Sequence, residues 1–457
     1  MNLIKEIEKY IISSKNKLKI NSKDIKKNDI FIALKGSNNH GNKFINKAFT
    51  AGAKYCVTDK TFNQINNNKK ILLVKDIFTF LKELSIKKRL VYDGEVIAIT
   101  GSAGKTSLKE NLKFFLQKQF NISASIKSYN NNLGVMISIL NMDNSSKFAI
   151  YEIGTNNFLE IRELTKMVQP SQIFITNILS THLENFKTKK NIAKEKSDIF
   201  KKIYNPYAKT LYFQNNSRDE LIIKNLAKKE KIKNIIKIGN KSNDCYIEKM
   251  KYNQSKYEIS LKILNKIFKI NLNKYEEYSI TNLIFVLTFF IQNKINTDII
   301  IKNISKIPLI QGRGSIHDFL LNGLNMKLID QSYNANPETM IQSIKSFSSI
   351  KKNEFLKILI LGNMNELGLK SIDLHFKVIK EIEKHSFDKV ILSGEFLKKA
   401  LSIFSELKNK YVYKSSSSGI MSYLKKNLHK KAIIMVKCSN NTEVNKFVKL
   451  LNLKIEG

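Results

Sequence analysis

Apolar positions along this chain switch repeatedly between a helical and a strand rhythm, and the switching itself points to a fold class. Near the N-terminus Leu3, Ile4, Ile7, Ile11 and Ile12 fall at helical spacing among Lys and Glu. This pattern predicts a surface helix; no cleavable apolar leader pattern accompanies it. Short strand-like runs follow at Asp29 to Leu34, Ala53 to Thr58 and Ile71 to Val74, with helical stretches around Phe44 to Ala51 and after Val74. At Glu95-Val-Ile-Ala-Ile-Thr100 a buried-strand run feeds straight into a glycine turn and a helix, and similar runs recur at Phe148 to Glu152 and Gln172 to Thr176. A third alternation begins after Gly312-Arg313, with strands expected at Met326 to Asp330, Lys357 to Leu361, Lys389 to Leu392 and Ala432 to Val436. Strands alternating with helices predict largely parallel sheets flanked by helices. The expected architecture is α/β in three domains, over residues 1–91, 92–311 and 312–457.

Composition narrows this picture. A length of 457 residues suits about three domains of roughly 150 residues each. With 42% hydrophobic and 26% charged residues the chain falls outside the disordered, collagenous and disulfide-stapled classes. Cys56, Cys245 and Cys438 are far apart and form no CxxC pair, so a reducing cytoplasm is the expected setting. The most apolar stretch, Leu283 to Ile291, is far short of the ~20 residues that a membrane span requires. The formal charge of +39 invites a nucleic-acid reading, but only Arg89, Arg162, Arg218 and Arg313 are arginines. Base and phosphate readers lean on bidentate Arg, so the lysine excess is read as a solvated surface and no nucleic-acid partner is expected.

The strongest local signal is Thr100-Gly-Ser-Ala-Gly-Lys-Thr106, between an expected strand and an expected helix. A glycine turn there lets backbone N–H groups of Gly101 to Ser107 cradle phosphates. Lys105 reaches the terminal phosphates, and the Thr106 hydroxyl can ligate Mg²⁺. This reads the central unit as a P-loop ATPase-like sheet. Downstream lie Glu152 at a strand end, His182 in Thr181-His-Leu-Glu184, and a helix bearing Lys194, Lys196 and Asp198. Strand C-terminal ends converge on one crevice in an open parallel sheet, so these groups are expected to complete a Mg²⁺-ATP site.

These residues resemble the Mur ligase family of ATP-dependent amide-forming enzymes of peptidoglycan synthesis. The likeness runs through Phe31-Ile-Ala-Leu-Lys-Gly36, Asn131-Asn-Leu-Gly-Val135, Glu152-Ile-Gly154, Lys196-Ser-Asp-Ile-Phe200, Ser332-Tyr-Asn-Ala-Asn-Pro337 and Glu366-Leu-Gly368 with Ser371 and His375. The last two runs resemble the branch that adds D-alanyl-D-alanine to UDP-N-acetylmuramoyl-tripeptide. The resemblance implies a UDP-muramoyl-binding first domain, a central ATP-binding domain, and a Rossmann-like third domain for the dipeptide and for closure over the nucleotide. It implies ATP and two Mg²⁺ ions, with Thr106, Glu152, His182 and a carbamylated Lys196 as metal ligands. Lys105, Lys196, His182 and Arg313 would act in catalysis. Asn282, Arg313, Asp330 and Tyr333 would contact the nucleotide, and Ser22, Asn131, Asn132, Asn334 and Asn336 the other substrates. A cytoplasmic monomer is the family expectation. The chain departs from the family pattern mostly in the last domain, at Gln331, Asn363, Cys438 and Asn440, and also at Met136 and Tyr278. Those departures keep two alternatives open: a ligase with another amino-acid acceptor, or a nucleotide-binding homologue that has lost ligation.

Overall fold

The computed structural model describes residues 3–36, 39–61, 69–126, 128–253, 256–272, 277–350, 354–403 and 411–455. Three sheets organise them. The first has four parallel strands in chain order, Leu18–Lys19, Ile30–Ala33, Tyr55–Thr58 and Ile71–Leu73. The expected N-terminal helix forms at Leu3–Ser13 and buries Ile7 and Ile11. Two polar clasps fasten this unit to the next. The Asn141 side chain accepts from Leu18 N and donates to Leu18 O, at 2.9 and 3.0 Å. Buried Lys88 donates to the carbonyls of Ile11 and Leu140, each at 3.0 Å.

The central sheet has nine strands. Its parallel part runs, in spatial order, Cys245–Asn253, Asn234–Gly239, Thr210–Gln214, Gln172–Ile175, Glu95–Thr100, Phe148–Glu152 and Ile122–Ala124. Glu95–Thr100 sits between strands that follow it on either side, so the chain reverses direction of winding there. Such a switch point opens a crevice at the strand C-terminal ends. Lys256–Ile263 and Lys266–Leu272 extend the sheet in antiparallel fashion, an extension that the alternation of strands and helices does not predict. Their apolar faces, including Ile259, Leu261 and Ile263, are buried, while lysines on the other face blur the two-residue period. The apolar stretch from Leu283 lies in the helix Glu277–Gln292, where Leu283 to Phe290 are all buried. A helix apolar all round belongs inside a core, and among the described residues no helix is long and apolar enough to cross a membrane.

The third sheet has six strands in the order Ser315–Leu321, Leu324–Gln331, Ala432–Lys437, Leu356–Leu361, Lys389–Leu392 and Val412–Tyr413. Only the first pair is antiparallel. Strands expected at Glu95–Thr100, Phe148–Glu152 and Lys389–Leu392 form with those bounds. The Ser315–Leu321 strand alternates exposed and buried positions on an edge and was not anticipated.

Candidate functional site

The glycine turn is built by its neighbours as much as by its own sequence. Gly101 has φ of 139°, and a Cβ there would lie 1.9 Å from Thr176 Oγ1, so no larger residue fits. Asn177 braces the turn: its carbonyl accepts from Ser102 N at 3.0 Å and its side-chain oxygen from Ala103 N at 2.8 Å. Gly104, at φ 82°, opens the helix Lys105–Leu116 without a side-chain cap. Uncapped N–H groups at a helix start favour an anion.

Lys105 arches over the turn and donates to Gly101 O at 2.8 Å. Burial pulls its pKa below the ordinary lysine value; Glu152 opposes that shift and Arg313 adds to it. Behind it Thr106 Oγ1 donates to Glu152 Oε2 at 2.7 Å, and Asn130 donates to the other carboxylate oxygen at 2.7 Å. Glu152 is buried, so the helix start and the neighbouring strand end share one pair of oxygen donors. An uncharged hydroxyl beside a carboxylate suits Mg²⁺, which keeps waters and substrate phosphates in its remaining positions.

These groups line a cleft of about 330 Å³ between the central sheet and the third. The central wall carries Ser102 to Lys105, Ser107, Glu152, His182 and Asn282, and the facing wall Gln331, Tyr333, Asn334, Asn336 and Lys437. Arg313 lies at the junction, its guanidinium 4.2 Å from the Tyr333 ring centroid and 3.5 Å from Ser128 Oγ. A second cavity of about 430 Å³ is lined by Phe78, Asn131, Asn132 and Glu160. Asn130, Gly154, Thr155 and Asn156 line both cavities.

Contacts across the main cleft hold its walls together. Glu338 accepts from Ser180 N and from Ser180 Oγ, the latter at 2.8 Å, and lies 3.6 Å from Lys189 Nζ. His182 Nδ1 pairs with the Glu366 carboxylate, and that pairing holds Glu366 below the usual glutamate pKa. His375 sets the Glu366 loop from beneath, its Nε2 accepting from Met364 N at 2.9 Å.

Most of the residues singled out in the sequence meet at the main cleft, but several lie elsewhere. Gly101 lies beneath the turn and Thr106 behind Lys105. Asp330 is buried with its carboxylate accepting from Ser332 N at 2.9 Å, and it does not line the cleft. Ser22 belongs to the first unit and lines neither cavity. Lys196 is 2% exposed while Lys194 is exposed. Burial, then the charge of Lys105, pushes the Lys196 pKa well below the ordinary value, and among the described residues no acceptor hydrogen-bonds its amine. Of the departures, Cys438 is buried against Gly362, where an added Cβ would come within 2.6 Å of the Cys438 Cβ, so the cysteine fits because Gly362 has no side chain. Asn440 is exposed. Asn130, Asn177, Glu338 and Lys437 were not singled out for a role. Asn130 and Asn177 are hard to notice in a chain crowded with asparagine, and Glu338 and Lys437 gain meaning only when two units meet.

A phosphate-binding turn at the switch point of a parallel sheet, facing a second α/β unit across a polar cleft, defines a P-loop nucleotide-binding class. Residues 99–289 match the Mur ligase middle domain and residues 320–440 the domain described as Mur ligase, glutamate ligase domain. The UDP-N-acetylmuramoyl-tripeptide--D-alanyl-D-alanine ligase of Rickettsia prowazekii is 31% identical over 95% of this chain and 94% of its own length. The chain belongs to the Mur ligase family. Among solved structures, MurF from Acinetobacter baumannii superposes with a TM-score of 0.79 at 22% identity, covering 95% of this chain and 92% of that one. MurF ligase from Thermotoga maritima in complex with ADP gives 0.78 at 22% identity, covering 98% and 99%.

Proposed function

We propose that this chain uses ATP to join D-alanyl-D-alanine to UDP-N-acetylmuramoyl-tripeptide, yielding ADP, phosphate and the pentapeptide. The observation that carries this reading is the meeting of the two cavities at Asn130, Gly154, Thr155 and Asn156, beside Lys105 and the Thr106–Glu152 pair. A phosphoryl donor in one cavity and a carboxylate in the other would react at that junction. The names of the curated relatives support the choice of substrates. In this reading residues 1–91 hold the UDP-muramoyl part, with Ser22, Asn131 and Asn132 contributing. Residues 92–311 hold ATP, and residues 312–457 bring the dipeptide and close over the nucleotide, with Asn334 and Asn336 on the substrate side. In this reading the enzyme works in the cytoplasm as a monomer.

A tripeptide carboxylate oxygen attacks the γ-phosphorus, and the bond to the ADP oxygen breaks. The dipeptide amine then attacks the acyl carbon, loses a proton, and phosphate leaves. Lys105 and Arg313 neutralise charge that develops on the phosphoryl oxygens, and the turn's N–H groups hold the remaining phosphates; positioning and charge stabilisation dominate such transfers. Asn282 approaches the turn, 3.6 Å from where a Gly104 Cβ would stand, and is assigned to the adenine; Tyr333 is assigned to the nucleotide. Asp330 would act through the Ser332 backbone. Thr106 and Glu152 would hold one Mg²⁺, and His182 with Lys196 as its carbamate a second; bound there, the metal would offset phosphate charge. Burial favours the neutral amine of Lys196, the form that takes up CO₂. The facing walls enclose the acyl phosphate and keep water from it.

The test is phosphate release from Mg-ATP with UDP-muramoyl-tripeptide present and D-alanyl-D-alanine added or withheld, with product mass as readout. Release that needs both, with pentapeptide formed, is expected. Release indifferent to the dipeptide would refute the reading and favour another acceptor or a lost ligation step.

A further inference from the structure

The third-unit wall of the main cleft is almost uncharged. Its lining groups include the amides of Gln331, Asn334 and Asn336 and the hydroxyl of Ser343, and its lone cation among the described residues beyond Arg313 is Lys437. Lys437 ends the strand Ala432–Lys437, and it is only 6% exposed. An ammonium carries three donors, yet among the described residues its Nζ has one weak partner, Asn334 O at 3.4 Å. A buried ammonium so poorly satisfied is costly unless an anion joins it. Burial lowers its pKa to about 8, and Arg313 presses the same way.

Two anions could take that place. In the ligase reading the nucleotide phosphates are met by Lys105 and Arg313 on the central side, where Arg313 reaches toward Ser128, itself 3.2 Å from Thr106 Oγ1. Lys437 lies on the opposite wall and leans on the third unit's own Asn334. Resting on the ligase reading above, the geometry points to Lys437 as the cation that receives the C-terminal carboxylate of the incoming dipeptide. A carboxylate held there fixes the far end of the acceptor, so that its amine faces the junction of the two cavities. Selectivity for an acceptor that ends in a free carboxylate then follows from one side chain, since a neutral terminus leaves Lys437 buried and unpaired.

The experiment compares D-alanyl-D-alanine with its C-terminal amide as acceptors for the full chain and for Lys437→Gln and Lys437→Arg. The native protein should prefer the free acid in kcat/KM by roughly ten- to a hundredfold, the range of a hydrogen bond to a charged group. Lys437→Gln should lose that preference through a raised dipeptide KM, with KM for ATP little changed, and Lys437→Arg should keep it. Equal use of acid and amide by the native protein would overturn the assignment whatever the variants do. So would a Lys437→Gln variant that retains the preference or shifts KM for ATP instead. If the native protein shows no dipeptide-dependent phosphate release, the ligase reading itself fails and this assignment falls with it.

Discussion

The two walls of the main cleft are built on different principles. On the central wall, seven consecutive residues from Thr100 to Thr106 supply the turn, the cation and the hydroxyl, and the strand Phe148–Glu152, adjacent in the sheet, supplies Glu152 to meet them. The third-unit wall is assembled from the ends of separate strands and helices: Gln331 from one strand, Asn336 from a helix cap, Lys437 from another strand. It reaches its place through contacts such as Glu338 with Ser180 and Glu366 with His182. Chemistry fixed by a short continuous segment tolerates little change. Recognition assembled from scattered residues can drift, and of the departures from the family pattern Gln331 lines that wall while Cys438 lies buried behind it.

The contrast is broken most severely on the central wall. Lys105→Ala should lower the rate of phosphate release by about 10²–10³-fold or more, with little change in the melting curve; a loss under tenfold would remove Lys105 from charge stabilisation. Lys196→Arg should abolish a carbamate carbon signal that the native protein shows by NMR in ¹³C-labelled bicarbonate. No such signal in the native protein would refute the carbamate.

His375 offers the next largest effect, on stability. Burial lowers its pKa from 6.5 to about 4, so between those values the unfolded chain binds a proton that the folded chain refuses. Its contribution is intact above pH 6.5 and is lost as pH falls toward 4, amounting to ~3 kcal/mol. Denaturant titrations across this range should show stability falling with pH, and His375→Gln should flatten that slope. The smallest effect is expected from Glu338→Ala, which removes one partly exposed clasp between the walls. A three- to tenfold drop in kcat/KM is anticipated, with nucleotide affinity measured by calorimetry unchanged.

The same contrast explains what the sequence disclosed. Strand, turn and helix around Gly101 to Thr106 are contiguous, so motif and periodicity found them together. Lys196 was set apart from Lys194 only by the family run Lys196-Ser-Asp-Ile-Phe200, because the lysine excess conceals which of the two is buried. His375 was noticed as part of a motif, yet its ring is buried and holds the Met364 backbone rather than lining the cleft. The antiparallel strands Lys256–Ile263 and Lys266–Leu272 were missed because lysines interrupt their two-residue period. Glu338 and Lys437 carry no local signature, since their partners lie on other elements.

The division of labour between the walls is tested most directly by trapping the acyl phosphate with hydroxylamine, with ATP and UDP-muramoyl-tripeptide present and the dipeptide withheld. The account predicts that Lys105→Ala forms almost no hydroxamate, while Lys437→Gln forms it at close to the native rate although it ligates D-alanyl-D-alanine poorly. Equal loss of hydroxamate in both variants would contradict it, because activation would then depend on both walls alike.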